Sequence, residues 1–284
     1  MKIVKFIVTI LLISNVALAQ DNDNGTHKRK ALTISNKGIK IEESDGKEGF
    51  FVSNTDKNDE KSSAAEDKFE LHWGSMDLGI NSLQDKTNYS SAAAQNFLKV
   101  DASVKNSNLF DMNQGKSINV NIYPLLTKYR LVKTNNFKLY LVSGVGLQFY
   151  NFRFNKPITY VNTSTPAVIM DTVNFSKNKL AFDYLNVPLG LTFKNRLSKS
   201  KWLVYGFGLT GGYRLASWTK QVSDERGKQK VHDKFDFADF NSCVTAEIGI
   251  DDVFRLYASY QLTSLQTDGL NQHPFSIGIR FSGI

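Results

Sequence analysis

Only one cysteine, Cys243, occurs in the chain, with five prolines, four histidines and four methionines. A single thiol closes no intramolecular disulfide and builds no cysteine-rich metal cluster, so neither holds this chain together. Beyond the first 20 residues no stretch reaches the ~18 consecutive apolar residues of a spanning helix. There is also no Walker loop, dinucleotide fingerprint, zinc-ligand spacing or nucleophile elbow. The sequence therefore supplies no catalytic, cofactor-binding or metal-binding residue, and no cofactor is expected. If the mature chain sits in a membrane, it crosses as a closed barrel, because only helices and barrels satisfy their backbone groups in lipid.

The one apolar run lies at the start. Lys2 and Lys5 precede an apolar core from Phe6 to Ile13, and Ala17-Leu18-Ala19 stands before Gln20. This order of charge, apolar core and small-x-small site predicts a secretory signal peptide over residues 1–19. No cysteine follows the cleavage site, which excludes lipid attachment there. Losing Lys2 and Lys5 lowers the formal charge from +8 to +6. No Lys/Arg cluster with interleaved aromatics accompanies that excess, so anionic lipid headgroups fit it better than nucleic acid.

Overall composition, 41% hydrophobic and 22% charged, resembles that of a soluble protein. Barrel strands give this average too, since only alternate residues are apolar. In residues 202–219, Leu203, Tyr205, Phe207, Leu209, Tyr213 and Leu215 share one side, while Val204, Gly206, Gly208, Thr210, Gly212 and Arg214 share the other. Side chains alternate along a strand, so this is one long strand with a greasy face and a small, polar face. Tyr205 and Tyr213 stand roughly 21 Å apart along a membrane normal at a tilt near 40°, matching an aromatic girdle at each edge of an apolar band.

The same alternation recurs from Phe69 onward. Met76, Leu78 and Ile80 oppose Asp77, Gly79 and Asn81, and Ile118, Val120 and Ile122 oppose Asn119, Asn121 and Tyr123. The second strand runs through Pro124 towards Val132, and a bend is expected at the proline. Further strands cover Phe137 to Phe154 and Lys179 to Lys194, then, beyond the 202–219 strand, Phe240 to Ile250, Phe254 to Leu262 and Phe275 to Phe281. The connections alternate long and short: 82–115, 155–177, 220–236 and 264–272 are long, and the others are tight turns. Residues 82–115 include a short helix around Ala92 to Phe97, and 155–177 include a hairpin from 158–161 and 167–170 extending beyond the membrane. Its exposed edge is expected to accept a partner strand.

These features predict an all-β fold: an eight-stranded antiparallel transmembrane β-barrel of the outer-membrane type over residues 67–284. A short periplasmic segment, 20–66, precedes it, with a small β-ribbon at 31–34 and 39–41 and Gly49–Val52 as a third arm. Even strand number and short-turn/long-loop asymmetry are the marks of such barrels, and they place the N-terminal segment and the C-terminus together in the periplasm. Asp77, Asn119, Asn121, Gln148, Asn186, Arg214, Glu247, Arg255, Gln261 and Arg280 point inward. An eight-stranded barrel is only just wide enough for its side chains to fill, so these residues are expected to plug the lumen.

Family resemblance enters through Asn178-Lys179-Leu180 and Tyr184-Leu185-Asn186-Val187-Pro188-Leu189, through Gly211 to Lys220, and through Leu256 to Tyr260 with His273-Pro274-Phe275-Ser276-Ile277-Gly278. Over its C-terminal two-thirds the chain resembles the PorT-like outer-membrane β-barrel proteins of Bacteroidetes-type bacteria. The resemblance implies a cell-envelope barrel and, from one branch of the family, a part in assembling a secretion apparatus. Outer-membrane strands usually finish on an aromatic, whereas here Phe281 is followed by Ser282-Gly283-Ile284. Asp171-Thr172-Val173 also resembles the short O-glycosylation sequon of such bacteria.

Two classes of function follow. The first is a non-enzymatic scaffold, embedded in outer-membrane lipid, that meets envelope or secretion partners through its external loops or residues 20–66. The second is an envelope hydrolase, acting on lipid or peptide at the barrel rim. Its candidates are His27, His72, His232 and His273, with His232-Asp233 as base and orienter and Asp251-Asp252 as paired carboxylates. An Asp-Asp pair in a tight turn and a solvated charged loop are the plainer readings of those two.

Overall fold

A computed structural model describes residues 29–35, 38–44, 68–162, 166–251 and 254–282. The signal segment, His27, Gly49–Val52 and Asp252 lie outside them. The chain divides into two units, 1–62 and 63–284. In the first, Arg29–Ser35 pairs antiparallel with Gly38–Ser44, with Leu32 opposite Ile41 and Ile34 opposite Ile39.

In the second unit, eight strands close into a ring among the described residues. They are β1 (Phe69–Asp85), β2 (Ile118–Lys133), β3 (Phe137–Phe154), β4 (Lys177–Arg196), β5 (Trp202–Ser223), β6 (Phe240–Ile250), β7 (Phe254–Gln261) and β8 (Gln272–Ser282). Each pairs antiparallel with the next, and β8 returns to β1 through Arg280 opposite Asp77 and Ile277 opposite Ile80. Closure leaves no open edge in the wall, so the backbone groups of the ladder are satisfied within the protein. At 22 residues, β5 is several times longer than the usual ~5–6 of a soluble strand.

The outward residues form an apolar belt. Phe207, Leu209, Leu189, Ile248, Leu256, Ile277 and Leu78 are all exposed, as are Tyr213 and Phe240, whose rings lie 5.2 Å apart at one rim. At the other rim Tyr205 stacks on Phe193, also at 5.2 Å. The two tyrosines that mark the girdles in the sequence thus each sit in an aromatic pair.

Two irregularities turn the wall. Gly74, at φ 66°, lies between Trp73, opposite Leu125, and Ser75, opposite Tyr123. Before it Phe69, Leu71 and Trp73 face out; after it Leu78 and Ile80 do, while Ser75, Asp77 and Asn81 are buried. Pro124 faces Gly74 on the neighbouring strand, and the β2–β3 register shifts between Ile122 and Leu125. A proline donates no ladder hydrogen bond and a positive φ suits glycine, so the two flips sit opposite each other and cost the ladder least. Close approach makes a second demand on glycine: a Cβ on Gly278 would lie 2.2 Å from the Leu78 carbonyl oxygen, and one on Gly79 2.5 Å from the Tyr257 hydroxyl.

The long connections depart most from expectation. Residues 220–236 are not simply a charged loop, because β5 runs on to Ser223, turns at 224–226 and pairs with an arm, Gly227–His232. The hairpin of Ile158–Val161 and Ala167–Met170 does form, but Leu98–Lys99 already occupies the outer edge of its second strand, in parallel. Asn178 and Gln221 donate side-chain hydrogen bonds to the Ile158 carbonyl, at 2.7 and 3.2 Å. The hairpin is therefore folded against the barrel rather than presented as a free edge.

Candidate functional site: the lumen and its cap

From the short-turn end upward, the lumen is built in three levels. The lowest is ionic. Arg280 on β8 is bidentate to Asp77 on β1, at 2.7 and 2.9 Å, and also reaches Glu247 on β6 at 2.9 Å. Arg255 on β7 lies 3.6 Å from Glu247 and bonds Asp251 at 2.6 Å, and Lys194 bonds Asp251 as well. Three carboxylates thus meet three cations from β4, β7 and β8. Buried charges are tolerated only when paired, and the Asp77 side chain is fully buried. Asp251 is accordingly the centre of an ion-pair network with Lys194 and Arg255. A cavity of about 80 Å³ borders Lys128, Thr192, Glu247 and Arg255, well below the ~300 Å³ at which ligand pockets begin.

Amides make the middle level. Asn121 donates to Asp77 at 3.1 Å, Asn119 to Asn121 at 3.2 Å, and the Tyr257 hydroxyl to Asn119 at 2.5 Å. Ser276 donates to Asn81 at 2.7 Å, and Asn241 reaches both Gln148 and Gln261. Asn186 is buried here with neither polar side-chain atom hydrogen-bonded. Cys243 is buried beside the Tyr150 hydroxyl, 3.9 Å from its sulfur.

The upper level is apolar. Tyr150, Phe152 and Phe154 on β3 and Leu180, Phe182 and Tyr184 on β4 turn inward beyond the amides. All four long connections add to them: Phe97, Leu98, Leu109 and Phe110; Ile158, Tyr160 and Val168; Phe235 and Phe237; Leu265 and Leu270. Phe182 and Phe237 meet edge to face at 4.5 Å between ring centres. The result is a cap with a packed core, closing the long-loop mouth.

Arg214 belongs to this cap and not, as its inward position suggests, to the charged lumen. It donates to the carbonyls of Ala238 and Phe237 at 3.1 and 2.9 Å, to Ser217 at 2.9 Å, and to the Asp239 carboxylate at 2.6 Å. The loop it clamps holds Phe235 and Asp236 at φ 47° and 61°, a costly region for residues other than glycine. That geometry delivers Phe235 and Phe237 into the core. Asp171 beside the hairpin is held similarly. Burial pushes its pKa up, but Arg226 at 2.8 Å and the Val173 amide outweigh that and leave its carboxyl below the usual range.

Among the described residues the candidate bases do not converge. His72 faces Glu70 at 3.3 Å near the short-turn end. His273 spends one ring nitrogen on the Gln261 carbonyl at 3.0 Å and the other on Asn271 at 2.8 Å. His232 lies against Trp218, while the Asp233 carboxylate accepts from the Lys234 amide. Base and orienter are thus turned to different partners. Among the described residues no group of three or more His, Cys, Asp or Glu side chains is placed to hold a metal ion.

Closure, belt and filled lumen define the class: an eight-stranded outer-membrane-type β-barrel. No family model matches the chain, and no curated protein does. Two solved structures of Ail, the attachment invasion locus protein of Yersinia pestis, each cover 74% of this chain and 98% of their own. One shares 12% identity at a TM-score of 0.25. The other, with the heparin analogue sucrose octasulfate, shares 14% at 0.27. Likeness at that level carries no argument, and the class rests on the geometry alone.

Proposed function

We propose that the chain is a non-enzymatic component of the cell envelope, exported by residues 1–19 and anchored in the outer membrane by residues 67–284. In this reading the short turns, the C-terminus and residues 20–66 are periplasmic, and the cap stands outside the lipid. The observation that carries it is the cap itself. A barrel that spends four connections on one packed apolar core presents a rigid surface, and binding sites collect on loops held by a rigid scaffold. The filled lumen supports the same conclusion, since a conducting barrel keeps it open. The PorT-like resemblance, with its link to secretion-apparatus assembly, is part of this proposal. Among the described residues the rim-hydrolase reading has no converging nucleophile, base and orienter in its favour.

Two partner-facing parts remain: the outer surface of the cap and the periplasmic ribbon. Removing residues 158–172 would delete Ile158, Tyr160 and Val168 from the cap core and damage the barrel mouth as well. A cleaner test replaces the arm tip, 222–228, by a two-residue turn between the paired Gln221 and Gln229 in one variant and deletes 29–44 in another. Each variant is checked for heat-modifiable mobility, then used for pull-down from detergent-solubilised membranes. One of them should lose a partner that the parent retains. If both fold and keep every partner and phenotype of the parent, the scaffold reading fails.

A further inference from the structure

Outside the wall, above the apolar belt, four cations stand in one row on four adjacent strands. Arg153 on β3 is opposite Lys179 on β4, Lys179 is opposite Lys220 on β5, and Lys220 is opposite Lys230 on the arm. Paired residues share a face, so all four side chains leave the wall on its outer side. In the next row Lys177 and Lys228 flank Val222. Below, Trp218 lies under Lys230 and Lys179, whose ammonium groups are 4.8 and 5.8 Å from the ring centre. The one acidic residue on this face of the four strands is Asp183, opposite Ala216. Charge repulsion is felt: Lys228 foremost, with Lys177 and Lys230, lowers the pKa of Lys220.

Like charges directly opposite destabilise a sheet, and this row makes three such pairs in succession. Protection of an edge explains lysines on the arm, which has no further neighbour. It does not explain Lys179 and Lys220, nor Arg153, which also donates to the Ser176 carbonyl at 2.7 Å; all three lie on interior strands. Height supplies the rest. Trp218 lies three residues beyond Leu215, an exposed member of the belt, which is about 8 Å along the membrane normal at a tilt near 40°. Headgroup layers extend about 5–8 Å beyond the hydrocarbon. The lysines leaning over Trp218 thus hold their charges at headgroup level, with an indole in its usual interfacial place.

We propose that this face, formed by Arg153, Lys179, Lys220 and Lys230 around Trp218, binds the phosphate groups of a glycolipid in the leaflet beside the long loops. The proposal rests on the outer-membrane reading given above. Anionic phosphates relieve the repulsion, and the spacing of adjacent strands, about 4.8 Å, lets one phosphate bridge two neighbouring cations.

Full-length protein, refolded in detergent, is mixed with bis-phosphorylated lipid A or with the same lipid dephosphorylated, and bound lipid is counted by native mass spectrometry. The variants are Lys179→Gln/Lys220→Gln/Lys230→Gln and, at the short turns, Lys199→Gln/Lys201→Gln. Each lysine at an anionic surface contributes about fivefold, so the triple variant should bind the phosphorylated lipid on the order of 100-fold more weakly. The double variant should match the parent, and the dephosphorylated lipid should show no preference among the three. Should the triple variant fail to refold, the parent alone decides, since its lipid retention must fall as salt is raised. Binding by the triple variant within threefold of the parent, equal binding of dephosphorylated lipid, or salt-independent retention would overturn the proposal. So would capture of a soluble polysulfated polysaccharide in preference to the lipid. Fractionation separates the two claims: a chain found in the outer membrane that fails these tests loses only the lipid site. A chain found elsewhere loses both.

Discussion

Substituting Arg280→Met is the sharpest probe of the lumen. Arg280 makes three hydrogen bonds, of 2.7, 2.9 and 2.9 Å, to two carboxylates. Methionine keeps most of the volume and removes the charge, leaving Asp77, fully buried, without its ion pair. Glu247 would retain only the 3.6 Å contact with Arg255 and a 3.1 Å hydrogen bond from Thr192. Breaking a buried pair from one side costs about 3–5 kcal/mol, because the penalty is the uncompensated charge and not the lost attraction. Urea unfolding in phospholipid vesicles, followed by tryptophan fluorescence and by mobility without boiling, reads that loss. Adding Asp77→Asn should return more than half of it, because the amide needs no counter-ion and Asn121 still supplies a hydrogen-bonding partner at this position. A single variant within about 1 kcal/mol of the parent, or a double variant no better than the single, would refute a lumen held by buried ion pairs.

Further predictions concern the cap, the wall, conduction and acid. Phe182→Ala removes a buried ring that touches Phe152 and Phe237 and should cost about 3–5 kcal/mol; the loss should appear as protease cleavage in the long connections while heat-modifiable mobility persists. Gly278→Val places side-chain atoms against the Leu78 carbonyl and should abolish folding in vesicles, which an unshifted band on unboiled gels would report. Reconstitution into planar bilayers should give no stable channel; reproducible large conductance would contradict the filled lumen. Asp171 has its folded pKa lowered, so its contribution is full above the unfolded value near 4 and fades as pH falls through the folded one. Arg226→Gln should therefore weaken amide protection of 158–161 and 167–171 at pH 6, and the difference from the parent should shrink as pH falls through the folded pKa of Asp171.

The wall was largely legible in the sequence because alternation at period two is a direct record of which face meets lipid. Phe137–Phe154 and Phe240–Ile250 stand where that pattern puts them. The flips at Gly74 and Pro124 were harder. The proline announces a bend, but Gly74 looks like any other small residue until its partner strand is known. Least legible was the cap. Phe235 and Phe237 stand in a charged stretch, and what buries them is a backbone turn held by Arg214 through contacts across 23 to 25 positions of sequence. The row Arg153, Lys179, Lys220 and Lys230 was equally hidden. No linear window contains it, because strand register alone assembles it.

Membrane sidedness offers the most direct measurement. Cys243 is fully buried, so a single introduced thiol reports alone. Lys228→Cys sits on the exposed arm at the cap end, and Lys199→Cys on an exposed turn at the other end. A membrane-impermeant maleimide applied to intact cells should label the thiol at 228 at once, and that at 199 only after the outer membrane is permeabilised. Labelling at 199 but not 228 in intact cells, or at neither before or after permeabilisation, would contradict an outer-membrane barrel with its cap facing out.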